Sequence, residues 1–357
     1  MAHVSAALFA ATYKILLLSL LLLVFVVTCE AKVPAIIVFG DSSVDPGNNN
    51  QVPTMARSDF APYGRDLPGG RPTGRFCNGK LVPDFISEAI GLKQLVPAYL
   101  DPGYTIADFA TGVSFASAGT GYDTATSNVL AVIPLWREVE YYKEFQQRLR
   151  DYLGEEKANV IISEALYMTS IGTNDFLENY YTLPQRRTQF TVEQYQDYLV
   201  RIAEDFLRQL YGLGARKFSF GGLPPMGCLP LERATNVQGQ QDCNEEYNSV
   251  AWDFNAKLYE LVDRLNVQLP GLKMALGNPF YILQELVLYP QDHGFEVTNR
   301  GCCGTGQYEM GYVCNQSPVT CPDASKYVFW DSFHPTERTN QLVADHLVKN
   351  YLVELLH

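Results

Sequence analysis

From residue 33 onward, short apolar and β-branched runs alternate with longer segments in which apolar residues recur every three and four positions. The short runs predict strands at Ala35 to Phe39, Gly112 to Ala116, Leu166 to Ile171, Lys217 to Phe220 and Lys273 to Leu276. The longer ones predict helices over Pro134 to Leu153, Thr191 to Leu213, Cys243 to Leu269 and Pro335 to Leu356. Thr191 with Gln194 three residues on reads as a capping box, and Gly212 or Gly214 is placed to stop that helix. A strand, a crossover helix and a further strand, repeated, predict an α/β fold with a parallel sheet covered on both faces. The pattern shows no repeat, low-complexity tract or hinge, so one doubly wound domain over residues 32–357 is expected. The stretches Pro46 to Arg75 and Asp292 to Ser325 read as long loops that could line a crevice beyond the strand ends.

Before that domain, Lys14, an apolar run from Ile15 to Val27 and the set Thr28-Cys29-Glu30-Ala31 have the form of a secretory signal peptide, residues 1–31, cleaved after Ala31. A longer reading from near Leu8 would make it a signal anchor, but no later segment is apolar enough to span a bilayer. A secreted, extracellular protein is the expectation. The formal net charge of −12 survives loss of Lys14 and Glu30, and no basic run follows. Nucleic acid is therefore excluded as a partner. After the leader, Cys77, Cys228, Cys243, Cys302, Cys303, Cys314 and Cys321 remain, an odd set in an oxidising compartment. Three disulfides can form, with Cys228 and Cys243 as one local pair and the four cysteines from Cys302 to Cys321 pairing among themselves. Adjacent Cys302 and Cys303 take other partners than each other. Zinc is disfavoured because no Cys-x-x-Cys or nearby His offers ligand spacing, and no metal or cofactor is expected. Asn315-Gln316-Ser317 is a glycosylation sequon, with Pro318 directly after it.

Histidine is scarce, which makes elimination informative. His357 ends the chain, His346 shares a helical face with Leu342 and Val343, and His293 sits in a turn-like Gln-Asp-His-Gly. His334 stands where an apolar run ends in Asp331-Ser332-Phe333-His334-Pro335, with Pro335 placed to open a helix. A spacing of three across such a turn lets Asp331 reach one imidazole nitrogen while the other points outward, the acid-and-base half of a triad. Alone, Asp331 and His334 read first as a capping pair closing a strand-to-helix turn. A base also needs a nucleophile, and two serine-bearing strand ends offer one: Gly40-Asp41-Ser42-Ser43 and Gly112-Val113-Ser114-Phe115-Ala116. The second does not satisfy Gly-x-Ser-x-Gly. Donors for a developing oxyanion could come from the Gly119 backbone and the Asn174 amide, each in an otherwise ordinary turn. Gly119-Thr120-Gly121 could cradle a phosphate, but no Lys follows at P-loop spacing.

Taken together and in order, these residues resemble the plant-type GDSL esterase/lipases of the SGNH hydrolase superfamily. The resemblance rests on Phe39-Gly40-Asp41-Ser42, Gly74-Arg75-Phe76-Cys77-Asn78-Gly79, Phe115-Ala116-Ser117-Ala118-Gly119, Gly172-Thr173-Asn174-Asp175, Gly222-Leu223-Pro224-Pro225-Met226-Gly227-Cys228, Gly301-Cys302-Cys303-Gly304 and Asp331-Ser332-Phe333-His334-Pro335. It implies a three-layer, flavodoxin-like α/β/α sandwich with a mostly parallel sheet. It also implies Ser42 as nucleophile, His334 as base, Asp331 as orienting acid, and an oxyanion hole from the Ser42 and Gly119 backbone N–H groups and the Asn174 side chain. The expected protein is a monomeric extracellular carboxylic ester hydrolase of the cell-wall space acting on small or polymeric esters. Two positions depart from the pattern: Ser43 replaces the name-giving leucine, and Ser114 stands where many members carry Asn, which questions the support of the Gly119 loop. An acyltransferase would share the catalytic set and differ only in resolving the acyl-enzyme with an alcohol, which product analysis with added alcohols would reveal. A non-catalytic secreted binding protein would turn over no ester at all.

Overall fold

The computed structural model describes residues 33–237, 239–315 and 319–356. The expected leader lies outside them. Five parallel strands form the central sheet: β1 (Ile36–Gly40), β2 (Gly112–Ser114), β3 (Leu166–Ser170), β4 (Lys217–Gly221) and β5 (Lys273–Gly277), in the order β2-β1-β3-β4-β5. Each predicted strand is present within two residues of its expected ends. Strand β1 is buried along its whole length, which explains why it reads as a continuous apolar run rather than an alternating one.

Seven helices reach eight residues or more among those described: α1 (Val82–Ala89), α2 (Leu135–Leu153), α3 (Glu155–Glu164), α4 (Val192–Gly212), α5 (Glu245–Gln268), α6 (Phe280–Leu288) and α7 (Glu337–Leu347). Phe39 of β1 packs edge-on against Tyr142 of α2 and Phe206 of α4, so these helices cover one face. Helices α1, α6 and α7 cover the other. The Thr191 capping box forms, with Gln194 N–H donating to Thr191 Oγ1 at 3.2 Å and Thr191 N–H to Gln194 Oε1 at 2.9 Å.

Two expectations need correction. Pro335 does not open the last helix; it makes a bridge with Phe329, and Thr336 caps α7 by accepting from the Thr339 N–H at 3.3 Å. A proline in that bridge has no N–H to give, and the helix begins only at Glu337, after the Thr336 cap. The stretch Asp292 to Ser325 is also more than a loop, because β6 (Val297–Gly301) pairs in parallel with β7 (Tyr327–Phe329) in a second, two-stranded sheet. The cystines are Cys228–Cys243, Cys302–Cys321 and Cys303–Cys314, with the last nested inside the second. Cys77 is free and buried.

Candidate active site

Strand β1 carries Ser42 out of the sheet at its C-terminal end, where the order switches direction between β1 and its neighbours β2 and β3. Crevices at such switch points are where doubly wound sheets bind ligands. Gly40 makes the exit possible: its φ is +138°, and a Cβ there would lie 2.1 Å from the Ser170 carbonyl oxygen. The Gly40 N–H donates to Glu138 Oε2 at 2.9 Å and the Asp41 N–H to the Ser170 carbonyl at 2.9 Å. Val44 N–H then closes a turn on the Asp41 carbonyl at 3.1 Å. Pinned on both sides, the turn directs Ser42 Oγ to 2.8 Å from His334 Nε2.

His334 Nδ1 lies 2.8 and 3.0 Å from the two Asp331 oxygens. A carboxylate can only accept, so Nδ1 carries the proton and Nε2 presents its lone pair to the Ser42 hydroxyl. Asp331 is itself fixed. Its Oδ1 accepts from the backbone N–H groups of Phe333 at 2.8 Å and His334 at 2.6 Å, and its Oδ2 from the Tyr63 hydroxyl at 2.7 Å. The Tyr63 oxygen accepts in turn from the Gly311 N–H at 2.8 Å. The Phe76 ring, 4.9 Å from the imidazole, shields one side of His334.

Gly119 adopts φ +85°, a left-handed conformation that L side chains rarely tolerate. Its loop is held from below: Asp45 Oδ2 accepts from Ala118 N–H at 3.0 Å, and Asn49 Nδ2 donates to the Ala118 carbonyl at 2.9 Å. Asn48 Nδ2 reaches the Ser114 and Ala116 carbonyls at 2.9 and 2.8 Å. Ser114 turns its hydroxyl to the Val44 carbonyl at 3.1 Å, so support of the Gly119 loop comes chiefly from Asp45, Asn48 and Asn49. Asn174 is buried with Nδ2 donating to the Thr120 carbonyl at 2.9 Å, and Asp175 accepts from the Tyr122 and Asp123 N–H groups at 2.7 and 3.0 Å. The Gly119 and Asn174 segments are thereby tied together.

Buried carboxyls surround this machinery. Burial pushes Asp41 up to about 6, against hydrogen bonds from Ser43 that pull it down. Burial likewise lifts Asp45 to about 6 and Asp175 to about 7. Glu178 rises to about 7 through burial and then the negative charge of Asp41, and burial raises Glu138 well above the carboxylate range. Asp41 spends its Oδ1 on the Ser43 N–H and hydroxyl, at 3.0 and 2.6 Å, rather than on His334.

Ser42 and His334 open onto a cleft that continues along the α1, α6 and α7 side of the sheet. Of the other sequence candidates, His293 pairs with Glu285 at 2.9 Å on the exterior, and half-buried His346 takes a contact from Asn350 at 3.2 Å. Asn315 ends a short helix and is exposed. Sequence reasoning passed over Tyr63, Asp45, Asn48, Asn49 and Glu138. The Asn run at positions 48–50 was the one local signal, since three amides in a row are poor loop filler unless they bridge backbone groups.

A model of the GDSL-like lipase/acylhydrolase family matches residues 36–347. In Arabidopsis thaliana, GDSL esterase/lipase At2g42990 is 61% identical over 342 residues, covering 96% of this chain and 97% of the relative. GDSL esterase/lipase At4g26790 is 61% identical over 335 residues, with 94% and 95% covered. GDSL esterase/lipase EXL3 is 40% identical over 347 residues, with 96% and 95% covered.

Proposed function

The chain belongs to the GDSL-like lipase/acylhydrolase family and is a carboxylic ester hydrolase, and from that premise we propose that it works through an acyl-enzyme on Ser42. His334 takes the Ser42 proton as Oγ attacks the ester carbonyl, and returns it to the departing alcohol. Water, deprotonated by the same Nε2, then releases the acid. Asp331 keeps the imidazole in the tautomer that makes both steps possible. The Ser42 and Gly119 N–H groups and the Asn174 amide receive the charge that gathers on the carbonyl oxygen.

The observation that carries this reading is the unbroken line from Asp331 through His334 to Ser42, with both contacts at 2.8 Å. Three cystines and the leader-like N-terminus support secretion, in a mature chain that forms one domain over residues 32–357. Among the described residues no helix is long and apolar enough to cross a membrane. Exposed Asn315 is the site where a glycan would attach.

A fluorophosphonate probe tests the nucleophile. Peptide mapping is expected to place the label on Ser42 in the wild type and to find none in Ser42→Ala; equal labelling of the two proteins would refute the assignment.

A further inference from the structure

Two carboxyls flank the nucleophile, each with an oxygen to spare. Asp41 is 5% exposed and lines the cleft. Its Oδ1 is taken by the Ser43 N–H and hydroxyl, and no described residue donates to its Oδ2. Glu178 stands one turn beyond Asn174, in the segment Asp175–Tyr181, which winds as a π-helix, a turn that recurs at functional sites. Its Oε2 is enclosed and has no hydrogen-bond partner. The charges that act on Glu178 are those of Asp41 and His334, so its carboxyl lies beside the catalytic machinery and not out on the surface.

The acyl-enzyme mechanism uses neither group: Asp331 orients His334, and the oxyanion is met by N–H groups. A buried acceptor without a donor is costly, and beside a reacting centre the substrate is what can bring the missing hydrogen.

The surroundings narrow the kind of donor. Among the described residues no Lys or Arg lines the cleft, and its walls include Val44, Leu229 and Phe333. A cation would have to give up its hydration among such side chains, and an anion would be repelled by Asp41. A neutral hydroxyl gives up far less and needs only one acceptor. Position 43 points the same way. A leucine there, the family's name-giving residue, could hold Asp41 only through its backbone N–H. The Ser43 hydroxyl, 2.6 Å from Asp41 Oδ1 and 2.7 Å from Ser170 Oγ, adds a second hold that fixes which carboxyl oxygen is occupied and which is left over.

We infer that Asp41 and Glu178 form a hydroxyl-recognition site beside the nucleophile, so that the enzyme selects esters carrying a free hydroxyl close to the scissile bond. The inference rests on the acyl-enzyme reading and adds a substrate class to it. The hydroxyl can belong to the acid half of the ester or to the alcohol half, and the test separates the two.

Matched esters that differ only in hydroxyl against methoxyl test it on the full-length protein, at about pH 8, above the values of both carboxyls. For the acid half these are ethyl esters of α- and β-hydroxy acids and their methyl ethers; for the alcohol half, glycol monoesters and their methyl ethers. In one half kcat/KM is expected to favour the hydroxyl by roughly tenfold to a hundredfold, the usual worth of a hydrogen bond to an ionised acceptor. Glu178→Ala and Ser43→Leu should each cut that ratio several-fold. Asp41→Asn should bring it to about one, because the amide puts a donor where Oδ2 stands. Each ratio is taken within one variant, and labelling by a fluorophosphonate reports that the variant is folded with a reactive nucleophile. Should Asp41→Asn take no label, Ser43→Leu decides for Asp41. Ratios near one in both halves of a labelled wild type would overturn the hydroxyl site alone, as would a preference that survives undiminished in labelled Asp41→Asn or Glu178→Ala. A wild type that takes no label would remove the acyl-enzyme reading and the site with it.

Discussion

Asp331 receives four donors: two backbone N–H groups, the imidazole Nδ1–H and the Tyr63 hydroxyl. A carboxylate so surrounded cannot rotate, and the imidazole it holds cannot rotate either. Tyr63 is the one member of this set that a conservative change removes without touching the chemistry. Tyr63→Phe keeps the ring that packs against Phe76 and Trp330 but removes one of the two donors to Asp331 Oδ2, leaving the His334 imidazole as the other, and takes away the acceptor of the Gly311 N–H. The expected result is a fall in kcat of about tenfold, equivalent to about 1.4 kcal/mol, with KM nearly unchanged. Steady-state kinetics on a soluble short-chain ester decides it; a change confined to KM would place Tyr63 in substrate contact instead. Tyr63 was not legible in the sequence, because it lies 268 residues from Asp331 and sits in a stretch that reads as loop. His334 was legible for the opposite reason: few histidines, one of them three residues after an acid at a strand end.

At the scale of elements, the nested cystines connect to that same hydroxyl. Gly311 lies inside the loop closed by Cys303 and Cys314, and its N–H is the group that fixes the Tyr63 oxygen. Replacing both cysteines by serine should lower unfolding free energy by roughly 2–4 kcal/mol, the usual range for a native cystine, and should reduce kcat as well. Chemical denaturation and kinetics on the same preparation check both; loss of stability with unchanged kcat would show that Gly311 holds its place without the bond. The central sheet was readable because strands buried on both faces must be apolar throughout. The β6–β7 pair was not, since Val297–Gly301 is largely polar and Tyr327–Phe329 has only three residues. Backbone pairing and cystines, not a hydrophobic period, hold that pair together. Pro335 misled for a related reason: proline suits the first turn of a helix, and here it sits just before the cap.

For the whole molecule, the buried carboxyls set a pH dependence. Burial lifts Asp41 and Asp45 from 3.8 to about 6, Asp175 from 3.8 to about 7, and Glu178 and Glu232 from 4.5 to about 7. Each binds its proton more tightly folded than unfolded, so its contribution favours folding below the unfolded pKa and is lost as pH rises through the folded one. His346, which burial lowers, acts with the opposite sign. Asp108, Glu204, Glu309 and Asp323, which are lowered, act with the same sign as His346 but titrate at the acid edge, so above about pH 5 the raised carboxyls prevail and the thermal midpoint should fall as pH rises from about 5 to 7. Calorimetry across that window checks this; a flat or rising midpoint would mean that hydration relieves these carboxyls. The two halves of the proposed site also come from opposite ends of the chain, with Ser42 and His334 separated by 292 residues. During synthesis Ser42 emerges early, and it has no base until the segment after β7 has cleared the ribosome and docked beside β1. On the proposed mechanism a nascent chain would be catalytically silent until then, and a product truncated before Asp331 would carry a serine with nothing to activate it.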